Sequence, residues 1–91
     1  MRIQIDEQIY TGSGVEIMEQ LRQELWDTGE FPNVESYVEY LRQNYERMSG
    51  LECRLPKGNV ELQARAMLYS LAEIGALELL EEDEVKEAVN D

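Results

Sequence analysis

The side chains able to do chemistry are narrow in kind: twenty acids, five tyrosines, one cysteine and no histidine. Without histidine there is no histidine-based triad and no Cys/His zinc site, and a single cysteine, Cys53, cannot close a disulfide within the chain. A nucleophilic Cys53 would need Arg54, Lys57 or a helix end to lower its pKa, so it reads as a buried structural residue. The carboxylates are too many for proximity alone to mean a site. Their densest run, "EEDEVKE" at 81–87, has neither the glycine turn nor the spacing of a calcium loop, and reads as a solvated face. These residues point to a protein that is not an enzyme and uses no metal or cofactor.

The stretch "IYTGSGVEIMEQLRQ" at 9–23 has two glycines ahead of a helix start, as phosphate-binding loops do. It lacks the spacing of either common phosphate-loop motif, and no lysine follows within a turn. Ser13 and Glu16 instead have the Ser-x-x-Glu spacing of a capping box, in which serine and glutamate occupy each other's backbone amides. A negative glutamate then stands where an anion would bind.

Trp26, Tyr37, Tyr40 and Tyr45 gather around the first two helical segments, and such residues are over-represented where one protein grips another. Tyr40 falls off the apolar stripe of its helix and shares a side with Arg47, so exposure is expected for it. The candidate partner-binding residues are Tyr40, Trp26, Arg47 and Glu39.

The positioning elements follow from hydrophobic period. "RIQI" and "QIYT" alternate around a tight "DE" turn, predicting a hairpin with Ile3, Ile5 and Ile9 on one face. A helix is predicted from Val15 to about Asp27, stopped by Thr28 and Gly29. A second, capped by Asn33, runs from Val34 to about Ser49 with the stripe Val34, Tyr37, Val38, Leu41, Tyr45 and Met48, and stops at Gly50. In "LECRLPKG", alternation turns Leu51, Cys53 and Leu55 inward. Asn59 caps the third helix, Val60 to about Ile74, whose wide apolar face places it centrally; "ALELL" after Gly75 is a short strand suited to extending the sheet. The fold class is α+β: an N-terminal β-hairpin, three helices and a short C-terminal strand. Residues 1–80 form a single domain, and 81–91 an acidic tail, expected to be a frayed helix or disordered.

The net charge is −12 over 91 residues, and residues 76–91 hold seven of the acids against one lysine. The local cations Arg54, Lys57 and Arg65 sit among as many acids, so no basic face is in prospect and nucleic acid is not expected as a partner. No apolar run reaches membrane-spanning length and the first residues, "MRIQIDEQ", are charged, so a cytoplasmic location with no membrane is expected.

Between Leu21 and Arg47 the chain resembles ribbon-helix-helix antitoxins of the ParD type, through Gly29, Phe31, Asn33, Ser36, Tyr37 and Val38. That likeness implies a dimeric transcription regulator. It departs where the family would read DNA with one N-terminal strand, since here a hairpin offers only Arg2 and a third helix follows. Over most of its length the chain resembles small, functionally uncharacterised proteins of bacteria and their mobile elements. The residues that carry this are Tyr10, Gly12, Ser13, Glu16, Ile17, Met18, Leu21 and Arg22, then Glu39 and Tyr40, then Leu71, Gly75, Ala76 and Leu77. The likeness supports the fold and implies no activity. The function expected is a non-enzymatic acidic interaction or regulatory module that binds a basic protein surface, in one form as a DNA mimic. The alternative is the antitoxin-like regulator; a homodimer is left open.

Overall fold

The computed structural model describes residues 1–25 and 28–82. Two strands, β1 (Arg2–Ile5) and β2 (Gln8–Thr11), flank a two-residue turn in which Asp6 takes a left-handed conformation, φ 55°. That turn length fixes the register: Ile5 lies opposite Gln8, Ile3 opposite Tyr10, and Gln4 opposite Ile9. Cross-strand partners share a face. Tyr10, not Ile9, therefore joins Ile3 in the core, and Ile9 is 54% exposed. The expected grouping of Ile9 with Ile3 is corrected by the parity of the turn.

Gly12 and Ser13 carry the chain into α1 (Gly14–Gln23), which is shorter than expected. The amides of Glu24 and Leu25 bond three residues back, to Leu21 and Arg22, and this tightened turn ends the helix before Gly29 is reached. A 3-10 turn over Thr28–Glu30 leads to α2 (Val34–Ser49). Asn33 and Ser36 form a reciprocal box at its start, and Gly50, φ 74°, donates to Glu46 O at its end. Tyr37, Val38 and Tyr45 are buried, whereas Met48 is exposed. Met48 lies past Tyr45, the last residue of α2 in the core, so its place in the predicted stripe goes unused.

Residues 51–58 form no strand. Cys53 is buried and Leu55 packs against the core, but Leu51 is exposed, turned away just after the left-handed residue Gly50. The third helix, α3 (Val60–Glu73), starts at the Asn59 cap and ends in a Schellman arrangement: Ala76 N–H reaches Leu71 O and Gly75 N–H reaches Ala72 O. Strand β3 (Glu78–Glu81) then pairs antiparallel with β1, giving the order β2-β1-β3.

The predicted α+β class is observed, with α3 central: it packs on α1, on α2 and on β3. One core joins Ile3 and Tyr10 of the sheet, Ile17 and Met18 of α1, Tyr37 and Val38 of α2, and Ala64, Met67 and Leu68 of α3. Among the described residues no helix is long and apolar enough to cross a membrane. Of the expected acidic tail, residues 83–91 lie outside the described residues.

Candidate functional site

Helix α2 carries three of the four candidate residues, and its geometry separates them. Successive helical residues point about 100° apart, so Glu39 and Tyr40 leave on different flanks. Trp26 lies outside the described residues.

On the first flank the Tyr40 ring leans on Phe31, with ring centroids 4.6 Å apart, and Phe31 meets buried Tyr37 edge-on at 5.8 Å. Phe31 is itself held from behind, because Arg22 of α1 donates to Phe31 O at 2.8 Å. The same guanidinium grips both oxygens of Glu19, at 3.0 and 2.7 Å, and these bonds hold the Glu19 carboxyl down at about 2. Tyr40 is thus a backed aromatic with 42% of its surface open. Arg47, two turns on along the same side, donates to Asn44 Oδ1 at 3.0 Å, and exposed Met48 and Leu51 complete this end.

The opposite flank is polar. Glu39 accepts from Arg42 and Gln43, Arg42 also donates to Glu46, and Glu46 Oε2 accepts the Cys53 amide at 2.8 Å. Between this flank and residues 53–57 lies a cleft of about 480 Å³, with Val38, Cys53, Leu55 and Pro56 among its apolar lining, Glu35 and Glu39 on the helix, and Arg54 and Lys57 opposite. The Cys53 thiol sits 4.0 Å from Ser70 Oγ, and burial pushes its pKa up. A raised thiol pKa leaves little thiolate, which supports the structural reading over the nucleophilic one. Among the described residues no three acidic or thiol groups come together as a metal would need.

The glycine-bearing junction is closed by its own chain. Ser13 Oγ accepts the Glu16 amide at 3.1 Å, and Glu16 Oε1 accepts the Ser13 amide at 2.8 Å. The two amides between them, Gly14 and Val15, are taken by the Glu61 carboxylate of α3 at 2.7 and 2.9 Å. Every orphan donor of the first turn is thereby filled, and Glu61 stands where a phosphate would have bound. Gly12 adopts φ 142°, where a Cβ would fall 2.7 Å from Glu16 Oε1. Gly14 lets α1 meet α3: a Cβ there would lie 2.6 Å from Arg65 Cγ. The Glu61 clamp spans 47 residues of sequence; its local sign is no more than an acid in the first turn of a helix.

The charge layout completes the surface. Of the arginines, Arg2, Arg22, Arg42, Arg54 and Arg65 each lie within 4.0 Å of a carboxylate of this chain. Among the described residues, the acids outside these pairs make no ion pair at that distance. Comparison of the chain with protein-family models, with curated proteins and with solved structures found no match.

Proposed function

We propose that this protein is a non-enzymatic interaction module whose acidic surface receives a basic surface of a protein partner, with Tyr40 as the aromatic anchor. The observation that carries this reading is the placement of the arginines: among the described residues, five of the six lie within 4.0 Å of the chain's own carboxylates, in a protein of net charge −12. Phosphate binding calls for clustered, available cations; a cationic protein surface calls for what is left here. Tyr40, half-open and seated on Phe31, loses little freedom on contact, as an anchor should. Glu39, on the other flank, contributes charge, and Arg47 beside Tyr40 contributes a directional donor at the rim. A DNA mimic that occupies a nucleic-acid-binding protein is one form of this module, and a cytoplasmic setting in a bacterium or its mobile element fits the sequence resemblance.

The test is a pull-down from host lysate with the wild-type chain and with Tyr40→Ala. Recovery of a basic protein that falls with added salt and falls again with Tyr40→Ala is the expected result. Equal recovery by both removes the anchor. A salt-sensitive shift of labelled duplex DNA by the pure protein would instead promote the dimeric antitoxin-like regulator.

A further inference from the structure

We infer that the free edge of β3 is a docking line, on which an extended lysine- or arginine-rich segment of a partner adds as a fourth strand. This rests on the reading of the protein as an acceptor of basic partners and names another place and mode of contact, away from Tyr40.

The sheet order β2-β1-β3 leaves two edges, and they are not alike. On β2, Gln20 Nε2 donates to Thr11 O at 3.0 Å, and the chain turns at once into α1, which packs on that strand. On β3, among the described residues, no hydrogen bond reaches the backbone of 78–82 from the side away from β1. The register says which groups are open. A two-residue hairpin closes on a hydrogen-bonded pair, here Ile5 and Gln8, and the pattern continues through Ile3 and Tyr10 to the Gly12 amide on Met1 O at 3.0 Å. Gln4 is therefore turned toward β3 and takes Glu78 as its partner, so the N–H and C=O of Leu79 point outward, with no partner among the described residues.

Charge decides the occupant. Exposed Glu78, Glu81 and Glu82 line the strand and its exit, and the nearby cation, Arg2, lies 4.0 Å from Glu81 with both side chains largely in water. Soluble sheets commonly guard an edge with lysine; this one is guarded by acids. Another copy of the chain, also at −12, is repelled, while a cationic strand is drawn in. Side-chain alternation supplies the rest: Leu79 packs partly against the core on the helix side and Leu80 is exposed on the other. An incoming strand that alternates apolar and basic residues would cover Leu79 and set its cations against the glutamates, with main-chain bonds giving affinity and side chains giving selectivity.

The test titrates the ¹⁵N-labelled full chain with a short peptide of alternating lysine and valine, and in parallel with its glutamate-valine counterpart. The expected result is amide shifts concentrated in Glu78–Glu82 and β1, new exchange protection at Leu79, and no response to the glutamate peptide. Glu78→Lys with Glu81→Lys should weaken binding roughly tenfold or more, and Glu78→Gln with Glu81→Gln less; retained spectral dispersion shows that either variant is folded. Tyr40→Ala should leave the peptide response unchanged. Shifts spread over the whole acidic surface or centred on β2, equal response to the glutamate peptide, or indifference to both double variants would overturn the inference. If the β3 edge stays silent while recovery of a basic partner still depends on Tyr40, this inference fails and the proposed function stands; the reverse outcome removes the Tyr40 anchor and keeps the edge.

Discussion

Two sets of backbone groups in this molecule face opposite fates. At the start of α1 four successive amides, those of Ser13, Gly14, Val15 and Glu16, are each bonded to a side chain of the protein itself. Along the outer side of β3 the backbone is bonded to nothing among the described residues. The α1 junction has the glycines of a ligand loop and is sealed; β3 has the alternation of an ordinary strand and is open. Backbone polarity that a fold satisfies internally belongs to its architecture, and polarity left unsatisfied at an edge is available to a partner. The contrast also separates two uses of acid. Glu16 and Glu61 are structural anions that complement a helix dipole, whereas Glu78 and Glu81 are exposed charges with little to hold.

If the α1 junction is architecture, breaking it costs stability in proportion to the donors orphaned. Glu61→Ala leaves the amides of buried Gly14 and of Val15 without their charged acceptor and should cost about 2 kcal/mol, the range for hydrogen bonds to a charged group. Ser13→Ala removes one acceptor at a partly exposed cap and should cost about 1 kcal/mol. Urea denaturation of both variants checks the ranking. A Glu61→Ala protein as stable as the wild type would mean that water replaces the carboxylate freely, and would reopen the junction to an outside anion.

How far each region can be read from the sequence follows from the distance over which its partners act. The Ser13–Glu16 box and the Asn33 and Asn59 caps are local, three residues from donor to acceptor, and their spacing is enough to place them. Tyr40 is legible for the same reason, since helical period alone sets it off the apolar stripe. The face of Ile9 follows from the same local rule: a two-residue "DE" turn between "RIQI" and "QIYT" sets Ile9 opposite Gln4 and Tyr10 opposite Ile3, and grouping the isoleucines by residue type alone passes over that pairing. The exposure of Met48 and Leu51 depends on where the core ends, which no periodicity carries. The Glu61 clamp joins the start of α1 to the start of α3, and only the packing of those two helices at Gly14 brings them together. The apolar alternation in "ALELL" announces β3; that its outer edge meets no other strand among the described residues depends on the sheet order, a property of the whole fold.

Acid should sharpen the contrast between held and free carboxylates. Glu19 is kept down at about 2 by its bonds to Arg22 and then Gln23, and Glu39 is lowered first by Arg42. A carboxyl whose folded pKa lies below its unfolded value stabilises the protein fully above the unfolded value, near 4.5, and loses that contribution as pH falls toward about 2. The urea midpoint should therefore be level near neutrality and decline through that window. Because Glu19 lies at the surface, the decline it contributes is shallow. Glu19→Gln should flatten it slightly, by lowering the midpoint at neutral pH by the same small amount while leaving the acid midpoint in place. An unchanged acid slope in Glu19→Gln would show that other carboxylates set the acid response.

The smallest effect is expected where the open edge is altered without a partner present. Glu78 makes no ion pair among the described residues, and Glu81 meets Arg2 only at 4.0 Å with both side chains well exposed. Exposed pairs of this kind contribute between nothing and about 1 kcal/mol, and surface substitutions away from caps and cores usually stay within about 0.5 kcal/mol. Glu78→Gln with Glu81→Gln should then leave the urea midpoint within that range while lowering the affinity for the lysine-valine peptide. Stability and binding part company at this edge, whereas at the α1 junction they cannot, since every acceptor there serves the fold. A loss of more than about 1 kcal/mol from the two glutamines would place β3's acids among the structural anions and erase the distinction between the two regions.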